Sequence, residues 1–260
     1  MDRIYTGFES LDKHLKIYKG DLVVIGSRPA IGKTSLMCSM IEKTIEKQKT
    51  LFFTMEERKD KNIEKTIFKV LDLKENVKVI NKEKIIYRFC EALEKKYYNL
   101  TLCREIVGIE ELILCVAECK IKENIGIVFI DNFYNLVSIS NTFTSEIILL
   151  LKELSNKLNV AIVIADSHRV SGKKYSYYLD LRHKSLIKYA DKIITINRPD
   201  RTATEKEIRD GLIEKGVAEI RIDKDMEEYF SPLINLKFDN NSLTFNEIPK
   251  TPWFIVTVVV

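Results

Sequence analysis

The sequence predicts an α/β domain, in which helices flank a mainly parallel sheet that continues at one edge as antiparallel strands. Three observations predict it. Short β-branched apolar runs alternate with helical stretches of roughly ten to fifteen residues, as in βαβ units. A glycine-bearing loop separates the first long apolar run from the first long helical pattern. Beyond residue 192 the helical patterns thin out and apolar runs follow one another directly. The 260 residues suffice for one large core, and 45% hydrophobic with 31% charged residues is ordinary globular composition.

The elements justify that class in order. Strands are predicted at 22–25, 50–54, 100–103, 127–130, 161–165, 193–196, 218–222 and 234–238, where apolar and β-branched residues concentrate. Helices are predicted at 33–47, 62–71, 82–96, 109–122 and 145–158. In the last of these Ile147, Leu150, Leu151, Leu154 and Leu158 recur at three and four residues and form one apolar stripe. The Lys- and Glu-rich stretch 59–84 reads as a solvated helical face. Residues 1–248 read as one domain and 249–260 as an apolar tail. That tail reads either as a last strand against the sheet or as a strand that docks on a partner.

Charge and cysteines exclude several classes. Forty-two Lys plus Arg against thirty-eight Asp plus Glu leaves +4, too little for a protein that coats nucleic acid over its whole surface. Cys38, Cys90, Cys103, Cys115 and Cys119 are odd in number and contain no CxxC pair, which suggests neither a disulfide framework nor a zinc ribbon. Cys115 and Cys119 share a helical face and read as packing. His14 reads as a surface residue. No apolar h-region opens the sequence and no apolar run is long enough to span a bilayer, so the expected location is cytoplasmic.

The chemistry concentrates in Gly26-Ser27-Arg28-Pro29-Ala30-Ile31-Gly32-Lys33-Thr34, which fits GxxxxGK[ST] between a strand and a helix. The glycines let the backbone wrap so that its N–H groups face phosphate oxygens, and helix amides as far as Ser35 add partial positive charge. Lys33 would reach the β- and γ-phosphates of ATP, and the Thr34 hydroxyl would ligate Mg²⁺. The run 127–130 ends in Asp131, an acid at a strand's carboxyl edge, suited to hold the same metal. The strand 50–54 leads to Glu56, which would project to that edge and orient or deprotonate a water. Its neighbour Glu57 should face away.

Beyond the loop, the residues resemble the RecA-like motor domain of DnaB-type replicative helicases. Thr6-Gly7-Phe8-Glu9-Ser10-Leu11-Asp12 is similar to the family's motif ahead of the P-loop. The stretch 20–29 followed by Gly32-Lys33-Thr34 is similar to its P-loop, Arg-Pro included, and residues 52–56 resemble the strand that carries its catalytic glutamate. Asp180-Leu181-Arg182, Ala190-Asp191 and Arg198-Pro199-Asp200 resemble the later motifs, and residues 218–220 with Lys224 resemble a hairpin that reaches a neighbour's nucleotide. The resemblance implies a ring, typically a hexamer, that hydrolyses ATP with Mg²⁺ between subunits and moves on single-stranded DNA in replication. It implies no counterpart here of the family's N-terminal helical domain and linker helix.

The sequence departs from that pattern at four places. Asn132-Phe133-Tyr134-Asn135 stands where the resemblance implies a glutamine after the metal-binding Asp. The γ-phosphate sensor position falls on Ser167 or His168, depending on alignment. His183 and Lys184 replace an acid and a glycine, and Met226 occupies the arginine-finger position, with Arg221 nearby. An alternative reading is therefore a nucleotide-binding module that docks on another helicase or replication protein without unwinding DNA.

Arg169, Lys173, Lys174, Arg182 and Lys184 form the expected DNA strip, interleaved with Tyr175, Tyr177, Tyr178 and His183. Cations that track phosphates among aromatic rings suit single strands. Between residues 169 and 184 five cations face one acid, Asp180, a surplus equal to that of the whole chain.

Overall fold

The computed structural model describes residues 2–55, 99–103, 107–168, 180–225 and 233–249. The expected helices 62–71 and 82–96 and the tail from residue 250 lie outside them. In chain order the strands are β1 (Arg3–Ile4), β2 (Ile17–Tyr18), β3 (Leu22–Ser27), β4 (Thr50–Thr54), β5 (Leu100–Cys103), β6 (Ile127–Asp131), β7 (Ala161–Ser167), β8 (Lys192–Asn197), β9 (Val217–Asp225), β10 (Leu233–Asp239) and β11 (Thr244–Glu247). The helices are α1 (Glu9–Asp12), α2 (Lys33–Thr44), α3 (Ile109–Glu123), α4 (Phe133–Ile139), α5 (Thr144–Leu158), α6 (Ser185–Tyr189) and α7 (Glu205–Arg209).

Nine of these strands form one sheet in the order β11-β10-β9-β8-β3-β7-β6-β4-β5. Pairing is parallel from β8 through β5 and antiparallel from β8 to β11. The expected parallel core with an antiparallel extension is therefore what the chain builds. β3 lies between β7 and β8: the chain leaves it toward β4 on one side and later passes it from β7 to reach β8 on the other. Ligands in such sheets bind at the carboxyl ends near that reversal.

Strand alternation divides the core in two. Val23, Ile25, Phe52, Phe129, Val163 and Ile194 pack on the face that carries α2 and the β10–β11 hairpin. Leu22, Val24, Phe53, Val128, Ile164 and Ile193 pack on the opposite face, under α3, α4 and α5. α3 buries Leu112, Val116 and Cys119, and α5 buries Ile147, Ile148, Leu151 and Leu154. Cys115 is half-buried beside that stripe, so the cysteine pair serves packing. Asn124 and Asn159, both left-handed, end these helices, a conformation Asn tolerates better than most residues.

The strands run longer than their apolar cores suggest. β7 continues through Asp166 and Ser167, and β9 through Asp225. Polar residues at strand ends interrupt the hydrophobic signal without interrupting the ladder. Conversely, the first helix stops at Thr44 instead of 47, closed by a turn in which Lys47 and Gln48 both donate to the Thr44 carbonyl. His14, half-buried, lines the cleft between α1 and β10.

Candidate functional site

The glycine-bearing loop joins β3 to α2 at the carboxyl edge of the sheet. Pro29 and Ala30 at its tip are exposed, while Arg28, Gly32, Lys33 and Thr34 are half-buried and Ser27, Ile31 and Ser35 buried. Its two glycines are needed for different reasons. Gly32 is left-handed (φ 119°), and a Cβ there would stand 3.2 Å from Phe245 Cζ. A Cβ on Gly26 would meet His168 Nε2 at 2.5 Å and Leu181 Cδ2 at 2.8 Å. The loop is thus packed from below by His168 and Leu181 and from one flank by Phe245, itself 4.9 Å from Phe238. The Arg198 guanidinium lies 4.3 Å from the Phe238 centroid and pairs with Asp200, so the Arg198-Pro199-Asp200 motif supports the loop through the hairpin.

Lys33 Nζ lies 3.2 Å from Ser27 Oγ and 3.4 Å from the carbonyls of Ser27 and Arg28. The ammonium is folded over the concave side of the loop, the side a phosphate chain would occupy. Next to it the Thr34 hydroxyl donates to Asp131 Oδ2 at 2.5 Å. Asp131 is 2% exposed at the end of β6. Burial pushes its carboxyl above the usual carboxylate range, against the opposite pull of the Thr34 hydroxyl and Lys33. A hydroxyl and a buried carboxylate are hard oxygen donors, the set that suits Mg²⁺. The residues present fit that ion.

β4 is held to this corner at its end. Thr54 pairs with Asp131, the Met55 amide donates to the Asp131 carbonyl, and Asn135 Nδ2 donates to the Met55 carbonyl at 2.5 Å. Asn132 caps α4 by accepting from the Asn135 amide at 3.0 Å. The Asn-Phe-Tyr-Asn stretch therefore fastens the strand that leads to position 56, a role the sequence did not reveal. Glu56 itself lies outside the described residues.

Ser167 ends β7 opposite Ser27, and alternation turns its side chain to the same face of the sheet as Ser27. His168 follows on the other face, 1% exposed, and neither ring nitrogen has a hydrogen-bond partner among the described residues. Burial and the Lys33 cation hold it down to about 4, so the ring is neutral. On the same face Asp166 accepts from both the backbone amide and Nδ1 of His183, at 3.2 and 2.8 Å. Asp166 lies one residue past the predicted strand 161–165, so only the longer strand β7 brings it to this edge.

The domain model for the DnaB-like helicase C-terminal domain matches residues 3–247. The chain belongs to that family. No curated protein sequence matches it. Among solved structures it is similar to another protein's ATPase domain, with a TM-score of 0.72 at 20% identity over 95% of this chain and 91% of that one. A DnaB-like replicative helicase, described with its interactions with primase, gives a TM-score of 0.69 at 19% identity, over 95% of this chain and 62% of that one. A KaiC-like protein from Pyrococcus horikoshii gives 0.66 at 15% identity, over 95% and 99%. These likenesses are of fold, and the fold is RecA-like, as the resemblance implied.

Within this DnaB-family domain the other expected site residues are dispersed. Lys224 donates to the carbonyls of Ile187, Lys188 and Ala190, at 3.1, 3.4 and 2.5 Å, and so caps α6 of its own chain. Burial lowers its pKa. Arg221 stands in β9 opposite Thr195. Lys184 is exposed and Arg182 half-buried, with its guanidinium 4.6 Å from the Tyr134 centroid. Arg169, Lys173, Lys174, Tyr175, Tyr177, Tyr178 and Met226 lie outside the described residues. No helix among the described residues is long and apolar enough to cross a membrane.

Proposed function

We propose that this DnaB-family domain is an ATP-hydrolysing motor that moves on single-stranded DNA in replication, working as a subunit of a homo-oligomeric ring, typically a hexamer. The observation that carries the proposal is the contact of Thr34 with Asp131 beside Lys33, all at one sheet edge. Residues 26–35 would wrap the phosphates of ATP, with Lys33 exchanging loop oxygens for phosphate oxygens. Thr34 and Asp131 would hold Mg²⁺, which neutralises charge that develops on the transferred phosphoryl group. Glu56 would polarise the attacking water from the end of β4, whose position Asn135 secures. Ser167, on the Ser27 face, is the better placed of the two sensor candidates, and His168 would act beneath the loop through Gly26. Arg182 and Lys184, with Arg169, Lys173 and Lys174, would track the DNA backbone.

The alternative, a nucleotide-binding module that docks on another helicase without unwinding, is favoured by one observation. Lys224, the expected trans-acting cation, is engaged by α6 of its own chain, and the finger position two residues on is Met226. Reaching a neighbour's nucleotide would require Lys224 to release three carbonyls. Steady-state ATP hydrolysis with and without single-stranded DNA separates the readings, for the parent and for Glu56→Gln. The motor requires DNA-stimulated turnover that the substitution abolishes. Tight ATP binding with no turnover would leave the docking module.

A further inference from the structure

The end of β7 carries a pair that the nucleotide chemistry does not use. The Asp166 side chain is wholly buried, and among the described residues both of its hydrogen bonds come from one residue, His183. A buried carboxylate is costly unless it is paired, and among the described residues His183 is what meets this acid. The backbone joins the same two segments. The Arg182 amide donates to the Ser167 carbonyl at 3.0 Å, and His168 bridges to Leu181. Residues 181–183 are therefore zipped onto residues 166–168, antiparallel, at the edge where the glycine-bearing loop sits.

His183 also touches the helix that follows the metal-binding strand. Its ring meets Phe133 edge-on at 5.1 Å and stacks near Tyr134 at 6.4 Å, and Tyr134 carries the Arg182 guanidinium on its ring. Phe133 is two residues from Asp131. One imidazole thus joins three parts: the end of β7 beside the loop, the start of α4 behind Asp131, and the basic strip at Arg182 and Lys184. A cation drawn onto a phosphate at Arg182 would leave Tyr134 and load His183, which Asp166 anchors.

We infer that Asp166 and His183 are a positioning pair that couples nucleotide binding to single-stranded DNA binding by fixing residues 181–184 to the end of β7. The inference rests on the reading of the chain as a nucleotide-driven DNA motor. Neither residue touches nucleotide or DNA in this role; each acts through its neighbours.

The test is a linkage measurement, since coupling between two ligands is reciprocal. The affinity of the full chain for a fluorescent ATP analogue with Mg²⁺ is measured with and without oligothymidylate, and that for labelled oligothymidylate with and without ATP analogue. The parent should show a coupling factor of about fivefold or more, the lower end of ordinary allosteric coupling. Asp166→Ala should bring the factor to one while each ligand alone binds as in the parent, and His183→Ala should likewise bring the factor to one. His183→Asn places an amide N–H near the position of Nδ1 and should restore the coupling, which also guards against an alanine variant that fails to fold. Variants that keep the parent's factor overturn the inference, as does a loss of DNA affinity with the factor unchanged, which would mark direct contact. A parent that binds both ligands without coupling overturns the inference alone. A parent that binds neither overturns the functional reading, and the inference falls with it.

Discussion

At the scale of single residues, the least expected feature is the neutral imidazole of His168 beneath Gly26. Adding one methyl at Gly26 would push into the His168 ring and Leu181. Overpacking of this kind costs about 1–3 kcal/mol. Gly26→Ala should lower the urea midpoint accordingly, and Gly26→Ala with His168→Ala should recover part of the loss. Recovery to no degree would mean that the glycine serves only the backbone.

His168 also has a pH signature. Its folded pKa of about 4 lies below the ordinary value of 6.5, so the unfolded chain takes up a proton first as pH falls, and stability drops from about 6.5 to 4. Asp223 does the opposite. Burial raises it from 3.8 to about 6, against the pull of its hydrogen bond from Thr195, so the folded chain holds the proton more tightly. Its contribution is complete at acid pH and is lost as pH rises from about 4 to 6. Each effect is on the order of 3 kcal/mol, and they offset in one window. Relative to the parent, Asp223→Asn should gain stability as pH rises from 4 to 6, and His168→Asn should lose it. Parallel pH curves for the three proteins would show that neither group is perturbed as described.

At the scale of elements, short pieces rely on single side chains. α6 is five residues long, too short to hold itself, and Lys224 satisfies carbonyls at its end. Removing such a donor from partly buried carbonyls costs about 1–2 kcal/mol. Lys224→Met should therefore lower the unfolding midpoint of the isolated chain. A variant as stable as the parent, with lost turnover in the assembled form only, would instead assign Lys224 to the neighbouring nucleotide. Much of the element order was legible because buried parallel strands are continuous apolar runs. The runs at 22–25, 127–130 and 161–165 became the centre of the sheet. What stayed hidden had no periodic signal: the two-residue pair β1–β2, the short helices α4 and α6, and β11, whose Phe245 amide is satisfied by Ser39 of α2.

The same division holds for the candidate site. Lys33, Thr34 and Asp131 are legible because phosphate and Mg²⁺ chemistry demands those residue types at fixed places on a strand-loop-helix unit. The supports are not. Nothing in the spacing of Asn135, His183 or Phe245 says that each reaches across 17 residues or more to hold Met55, Asp166 or Gly32, and only the folded sheet edge brings Met55 and Asn135 within 2.5 Å.

At the scale of the whole molecule, charge distribution matters more than charge. The surplus of four over the chain equals the surplus of the stretch 169–184, so the remainder is balanced and offers single-stranded DNA no general attraction. Binding should then depend on salt through those five cations alone. For single strands each neutralised phosphate contributes about −0.7 to the slope of log K against log salt, so the whole strip gives roughly −3.5 at most. Arg182→Gln and Lys184→Gln should each flatten the slope by about 0.7, whereas substitution of cations on the opposite end of the sheet, such as Lys122→Gln, should leave it unchanged. A slope well beyond that limit, or one insensitive to Arg182 and Lys184, would move the DNA path elsewhere. Because Arg182 lies over Tyr134 and next to His183, its substitution should also weaken the coupling to nucleotide, while Lys184, exposed at the start of α6, should change only the slope.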